Sequence, residues 1–193
     1  MANLVQRQIA VTLLLHEGSA GDGLEVAMSD TPSVELHSFP EATSLPLLVY
    51  RGALPWLGAA TASDCEALFA RHGWPGAWHN GIYGFHHFHA TTPEVLGIVA
   101  GHATVRFGGP AGAAVTVAAG DVVLVPAGVS HCKEAGSADL LVIGAYPGGR
   151  DPDMARGTPA DHKEAPRQIA AVAVPDSDPV LGKDGPLLRH WRG

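Results

Sequence analysis

Residues 81–94 of this 193-residue chain read Gly-Ile-Tyr-Gly-Phe-His-His-Phe-His-Ala-Thr-Thr-Pro-Glu, and residues 120–131 read Gly-Asp-Val-Val-Leu-Val-Pro-Ala-Gly-Val-Ser-His. His87 and His89 are two positions apart on an expected β-strand, so their imidazoles point to the same face. The segment that follows His89 suits a turn, which can return the Glu94 carboxylate to that face. The two stretches therefore predict that donor side chains gather on one side of a β-sheet.

The second stretch supplies a third imidazole. Its strand ends at Pro126, Gly128 permits a sharp turn, and His131 begins the next strand. Three imidazoles and one carboxylate form a donor set for one divalent transition metal, which is Fe, Mn, Ni, Co or Zn. Octahedral coordination leaves positions open for water or a substrate, as in sites that perform chemistry. The predicted ligands are His87, His89, Glu94 and His131.

Glycine and proline punctuate the sequence around these stretches, which is typical of an all-β fold. The chain has 24 Gly and 15 Pro, and short apolar runs alternate with glycine turns from residue 81 to residue 146. Such runs predict a sandwich or a barrel. The predicted strands are 81–89, 94–100, 102–108, 113–118, 120–125, 129–134 and 139–146.

Fewer elements are predicted outside this region. Ser63 and Glu66 have the spacing of a capping box at the start of a helix. Residues 45–52 read as an extended segment, which Pro46 places at a sheet edge or in a loop. Residues 169–174 read as one more strand.

Composition restricts the function classes. Twelve Lys and Arg against 19 Asp and Glu give a formal net charge of −7, which argues against nucleic-acid binding. No apolar run reaches the roughly 18 residues that span a bilayer. Cys65 and Cys132 are too few for a disulfide framework, so we expect a cytoplasmic protein. Residues 1–30 contain a linker-like run and read as an N-terminal extension of uncertain status, and residues 31–193 read as one domain.

The spacing of the two stretches resembles the two signatures of the cupin superfamily. The first match is Gly81-x5-His87-x-His89-x4-Glu94-x6-Gly101, and the second is Gly120-x5-Pro126-x-Gly128-x2-His131. The resemblance implies an all-β, single-domain cupin β-barrel (a double-stranded β-helix or jelly roll) with one or two short helices. It also implies one metal pocket, built by motifs 81–101 and 120–131. Cupins often carry Asn where Ala135 stands, but that Asn is not a metal ligand.

A wider similarity covers about residues 34–191 and points to a bacterial group of single-domain cupins, the YjlB-like proteins. It is carried by residues 50–54, 81–89 and 144–147, and by residues 178–180 together with 185–187. The group implies the fold and the metal pocket, but it brings no settled activity.

Strand parity also predicts residues of the pocket around the metal. Tyr83 and Phe85 share the face of His87 and His89, so we expect them to line the barrel interior. Arg51 and Tyr146 are candidates to bind a carboxylate or hydroxyl on a small ligand. The alternative for these two is a solvated surface charge and an ordinary aromatic side chain.

Two functions fit these residues. The first is a small-molecule enzyme of dioxygenase or isomerase type that uses the metal, with no second acid–base residue identified. The second is a non-catalytic module that binds or senses a sugar or a small acid. Cupins that only bind ligands frequently lose metal ligands, so the complete set here favours the enzyme. The partners we expect are a small-molecule ligand and a second copy of the chain in a homodimer, with no nucleic acid and no membrane.

Overall fold

Nine β-strands lie in residues 32–54 and 62–192, which are the residues that the computed structural model describes. The strands are β1 Ser33–His37, β2 Leu47–Arg51, β3 Trp78–Asn80, β4 Glu94–Ala100, β5 His102–Phe107, β6 Ala113–Ala118, β7 Val122–Val125, β8 His131–Gly136 and β9 Leu141–Ala145. They form a six-stranded sheet in the order β1-β2-β7-β4-β9-β3 and a three-stranded sheet in the order β6-β5-β8. Every strand pair is antiparallel. The all-β prediction and the single-domain cupin barrel are confirmed.

The large sheet is buried on both faces, which explains the continuous apolar runs of β2 and β7. On one face, alternate residues such as Leu96 and Val123 meet Val105 and Phe107 of the small sheet in one apolar cluster. On the opposite face, Tyr50, Leu124 and Ile143 belong to a second cluster, which the helices complete. The second cluster also includes these helical side chains: Cys65, Leu68, Phe69, Leu187 and Trp191.

Three α-helices lie in the described residues, where the sequence predicted one or two: α1 Ala62–Arg71, α2 Pro159–Ala170 and α3 Pro186–Trp191. The predicted helix is α1, which begins one residue before Ser63. The predicted strand at 169–174 is wrong, because α2 continues to Ala170. Thr158 caps α2 by a capping box with Asp161, a signal that was present in the sequence.

Two other strand predictions are corrected. Residues 81–89 form no continuous strand and pair only through isolated bridges at His87 and Phe88. The segment that contains Pro46 is not at a sheet edge, because β2 lies between β1 and β7. Pro46 precedes the first residue of β2, so its missing amide hydrogen interrupts no ladder bond.

The N-terminal extension predicted at residues 1–30, and residue 31 at the start of the predicted domain, lie outside the described residues. Among the helices of residues 32–54 and 62–192, none combines the length and the apolar character needed to cross a membrane.

Candidate metal centre

Backbone pairing places two of the predicted ligands opposite each other. The His87 amide donates to the His131 carbonyl at 3.2 Å, and the His131 amide donates to the His87 carbonyl at 2.9 Å. This bridge joins the first motif to the start of β8, and it brings the centroids of the two imidazoles to 4.1 Å. On the other side of the segment, Phe88 exchanges two backbone hydrogen bonds with Ala155. The first motif is therefore fixed on both sides although it forms no continuous strand.

His89 and Glu94 reach the same place from the turn and from β4. The His89 carbonyl accepts the Gly128 amide at 2.8 Å, which connects the two motifs a second time. Gly128 has φ +88°, and a Cβ there would lie 2.6 Å from Cδ1 of Ile169, so this turn requires glycine. Glu94 is the first residue of β4 and pairs with Val125 of β7.

The four predicted ligands are gathered in one buried cluster. None is more than 5% exposed. One ring nitrogen from each of His87, His89 and His131 lies within 4.8 Å of the others. Oε2 of Glu94 lies 3.2 Å from Nε2 of His131 and 3.6 Å from Nε2 of His89. The strand-parity argument therefore holds for His87 and His89, even though the segment 81–89 is not a regular strand.

Each imidazole has its Nδ1 directed at a backbone carbonyl. His87 Nδ1 donates to Phe85 at 3.2 Å, His131 Nδ1 lies 3.5 Å from the Val129 carbonyl, and His89 Nδ1 donates to the Asp153 carbonyl. Because a carbonyl oxygen can only accept, the hydrogen of each neutral ring belongs on Nδ1. Nε2 then carries the free electron pair, which is the arrangement of metal-binding histidines.

The donor atoms have the unmet bonding capacity that a cation would satisfy. Among the residues with described positions, Nε2 of His89 and Oε2 of Glu94 are buried and have no hydrogen-bond partner. Two electron-pair donors that face each other in a buried site are unfavourable unless a cation lies between them. Three imidazoles and one carboxylate suit a divalent transition metal, so the residues present can hold one.

The pKa shifts of Glu94 and His87 agree with this donor set. Burial would raise the pKa of Glu94, but the closeness of His131 and His89 to its carboxylate outweighs burial and holds the pKa well below its usual range. Burial, followed by the charge of His131, lowers the pKa of His87 to about 4. Burial opposes protonation of His89, but the nearby negative charge of Glu94 raises the pKa of its imidazole. At neutral pH Glu94 is thus a carboxylate and His87 a neutral imidazole.

A cavity of about 440 Å³ opens from this cluster. Its wall contains apolar and aromatic side chains (Trp78, Ile82, Tyr83, Leu96, Tyr146 and Met154) and, besides the predicted ligands, polar ones (His79, Asn80, Arg150 and Asp151). Trp78 of β3 packs against Gly144 of β9, where a Cβ would be 2.0 Å from Cζ2 of the indole. A cavity that combines apolar walls with placed polar groups is typical of small-molecule sites.

Of the four predicted pocket residues, two line the cavity and two do not. Tyr83 and Tyr146 line the cavity, as expected. Phe85 is not among the lining residues, because it stacks behind Tyr83 at 4.8 Å and lies under the Arg156 guanidinium. Arg51 also does not line the cavity. Its guanidinium binds Glu35 of β1 and Asp121, so the structure does not bring it to the cavity.

The segment 149–154 was not predicted to contribute to the site. Arg150 and Met154 line the cavity. The carboxylate of Asp153 accepts from the amides of Ala90 and Thr91, each at 2.9 Å, while its carbonyl accepts from His89. Asp153 therefore holds the turn after His89 and orients the imidazole. No local sequence pattern predicts these contacts, since they join positions more than 60 residues apart.

Comparison with known proteins is consistent with this picture. No protein-family model matches the chain. The uncharacterised protein YjlB of Bacillus subtilis (strain 168) is 43% identical over 152 residues, which is 79% of this chain and 89% of YjlB. The chain belongs to the YjlB family. The expected resemblance to the YjlB-like cupins is thus confirmed, with the two motifs in place and the two antiparallel sheets of the fold.

Solved structures give weaker similarities. An acireductone dioxygenase from Bacillus anthracis, with a cadmium ion in its active centre, is 21% identical with a TM-score of 0.35. That match covers 48% of this chain and 63% of the dioxygenase. A DUF861 family protein from Thermotoga maritima is 20% identical with a TM-score of 0.29, over 44% of this chain and 90% of that protein. TM-scores this low give no basis for transferring an activity to the YjlB-like chain.

Proposed function

We propose that this YjlB-like cupin is a metal-dependent enzyme that acts on a small organic molecule by a reaction of dioxygenase or isomerase type. Its ligands would be His87, His89, Glu94 and His131. The observation that supports this most is the set of buried donors, two of them without partners, that opens onto a cavity of about 440 Å³. A bound divalent ion supplies Lewis acidity or, where it is redox-active, electron transfer.

The protein's own residues have separate roles in this proposal. The backbone carbonyls at Phe85, Asp153 and Val129 hold the imidazoles in one orientation. Glu94 is a ligand and is not free to act as a general base. Trp78 and Leu96 exclude water from the inner end of the cavity, which strengthens electrostatic interactions there.

The outer part of the cavity favours a particular kind of ligand. Tyr83 and Met154 are 47% and 49% exposed although both are large and apolar, so they offer surface to an apolar part of the substrate. Arg150 lines the same cavity beside Asp151, and it forms no ion pair within the described part of the chain. A small organic anion with an apolar portion suits this combination.

Metal analysis tests the proposal directly. The protein is purified without chelator or nickel resin, beside His87→Ala, His131→Ala and the control His102→Ala, whose side chain is exposed on β5. We expect about one ion per chain in the wild type and the control, and strong loss in the other two variants. Oxygen uptake with catechols, thiols and keto acids then separates a dioxygenase from an isomerase. Negligible metal in the wild type after reconstitution would refute the enzyme proposal.

A non-catalytic binding module is the second candidate, favoured by the exposed Tyr83 and Met154 at the cavity mouth. In that case the metal anchors a sugar or a small acid that is released unchanged. Calorimetry of the metal-loaded protein with small acids and sugars, followed by analysis of the recovered ligand, distinguishes the two. Binding with complete recovery supports the module, and a new product supports the enzyme.

The proposal also includes a cytoplasmic homodimer that binds no nucleic acid. The two cysteines are unpaired, and β1 is an edge strand that can pair with a second copy. The charge of −7 opposes contact with phosphate backbones. Light scattering after size exclusion should give twice the 20.0 kDa chain mass, and a monomer mass would refute the dimer.

A further inference from the structure

The two oxygens of the Glu94 carboxylate have different surroundings. Oε1 accepts a hydrogen bond of 2.5 Å from the Tyr146 hydroxyl. Oε2 has no hydrogen-bond partner in the described structure and faces Nε2 of His131 and Nε2 of His89. The hydroxyl therefore binds the oxygen that does not face the imidazoles.

We propose that Tyr146 is a positioning residue that restricts Glu94 to one ligating oxygen and so keeps a coordination position open toward the cavity. This inference rests on the proposed metal site. A carboxylate can bind a metal ion through one oxygen or through both. A short hydrogen bond to an ionised oxygen is among the stronger hydrogen bonds in proteins, so it competes with a second bond from that oxygen to the ion.

The fold holds the Tyr146 hydroxyl in place. Tyr146 follows the last residue of β9, beside the end of β4 at which Glu94 begins, and Val95 pairs with Ala145. Its ring packs edge-on against the His89 imidazole at 5.4 Å, and the residue is 7% exposed. The carbonyl of Tyr146 accepts the Gly149 amide at 3.1 Å, which fixes the backbone at the start of the following turn.

The hydroxyl has a single hydrogen to donate, and Oε1 of Glu94 accepts it at 2.5 Å. Tyr146 lines the cavity as well, so its ring edge lies beside the position that it keeps open.

A hydrogen bond that only stabilises the fold would give the same geometry, so the test needs a measurement of coordination. The protein is loaded with Mn(II) alone, and the number of metal-bound waters is obtained from water-proton relaxation. The variant is Tyr146→Phe. The matched control is Tyr50→Phe, which removes the hydroxyl from the second buried tyrosine–carboxylate pair, Tyr50 and Asp178.

We expect about two bound waters in the wild type and in Tyr50→Phe, the number that three imidazoles and one carboxylate oxygen leave in octahedral coordination. In Tyr146→Phe, Glu94 binds through both oxygens, so about one water remains and the inner-sphere relaxation falls by about half. An unchanged number of waters in Tyr146→Phe, at full metal occupancy, overturns the inference.

A measurement on the wild type alone can also refute the proposed role of Tyr146, which matters if Tyr146→Phe does not fold. X-ray absorption of the Mn(II) protein should show one carboxylate oxygen in the metal shell. A Glu94 that binds through both oxygens in the wild type overturns the role of Tyr146 but leaves the metal site intact. A wild type that takes up no Mn(II) or other divalent ion refutes the metal site and, with it, the inference.

Discussion

Asp178 and Glu94 are both buried carboxylates that accept a hydrogen bond from a tyrosine, at 2.6 Å from Tyr50 and at 2.5 Å from Tyr146. At Asp178 both oxygens are satisfied, because the amides of Val180, Leu181 and Leu187 also donate to them. At Glu94 one oxygen has no such partner in the described residues. The two pairs thus share their chemistry and differ in whether the second oxygen is used.

The difference separates a structural site from a functional one. Asp178 holds the turn before α3 and connects it to Tyr50 of β2, so the C-terminal segment is fixed against the outer face of the large sheet. A Cβ at Gly185 would lie 2.2 Å from the Asp178 side chain, so that site has no space for a ligand. Glu94 instead faces three imidazoles and a cavity. A buried charge without partners lowers stability, which is acceptable where it binds a ligand.

The largest effect is expected at Asp178. Asp178→Ala leaves one hydroxyl and three amides without their acceptor, so the free energy of unfolding should fall by about 3–5 kcal/mol. Glu94→Gln should change it by less than about 1 kcal/mol in metal-free protein, because the amide oxygen can still accept from Tyr146. Urea unfolding in the presence of a chelator measures both. Equal losses in the two variants would contradict the contrast between the pairs.

Metal should stabilise the protein only through the Glu94 region. A divalent ion at about 100 times its dissociation constant should raise the free energy of unfolding by about 2.7 kcal/mol. Thermal unfolding with and without Mn(II) should show this increment in the wild type and in Tyr50→Phe, and should not show it in Glu94→Gln. An increment that survives in Glu94→Gln would place the ion elsewhere.

A smaller loss is expected when Asp178 keeps its amides but loses the tyrosine. Tyr50→Phe should lower the free energy of unfolding by about 1.5 kcal/mol, because three of the four hydrogen bonds to the carboxylate remain. Urea unfolding measures the loss, and metal affinity by chelator competition should be unchanged. A changed affinity would mean that the two carboxylate regions are coupled.

The smallest effect concerns the two thiols, Cys65 and Cys132. Cys65 belongs to the apolar cluster of Tyr50, is 2% exposed, and burial raises its pKa to about 12. Cys132 follows His131 and is half-buried. A thiol reagent at pH 8 should therefore modify Cys132 well before Cys65 in the native wild type. In the Cys132→Ser variant only Cys65 can react, so modification should be slow, and it should become faster when Asp178→Ala is added. Fast modification without Asp178→Ala would show that the Asp178 region already opens.

The strands between residues 94 and 145 were predictable because most apolar runs there end at a glycine or proline turn. β4 and β6 have the predicted bounds, while β7, β8 and β9 each begin two residues later than predicted. Local spacing placed His87 and His89 on one face, since alternate residues of an extended chain share a face. This parity holds although residues 81–89 pair only at isolated bridges. His131 and Glu94 join the other two donors through the bridge to His87 and the start of β4.

Arg51 and α2 show what local patterns did not reveal. A long, charged side chain can reach several partners, and Arg51 pairs with Glu35 because β1 and β2 are aligned antiparallel, which composition does not reveal. The apolar residues at the end of α2 matched a strand because a short apolar run has no distinctive period. The capping box at Thr158 was the better signal in that segment.

Short stretches of sequence determine the identity and spacing of the metal-type donors, the order of the strands along the chain and the turns between them. Within such a stretch, backbone geometry alone decides which side chains share a face. The different roles of the two carboxylates, Glu94 and Asp178, do not follow from short stretches of sequence. Tyr146 reaches Glu94 across 52 positions, Tyr50 reaches Asp178 across 128, and Asp153 reaches Ala90 across 63. Such partners meet only once the sheets have packed, because burial and the competition for hydrogen bonds select them.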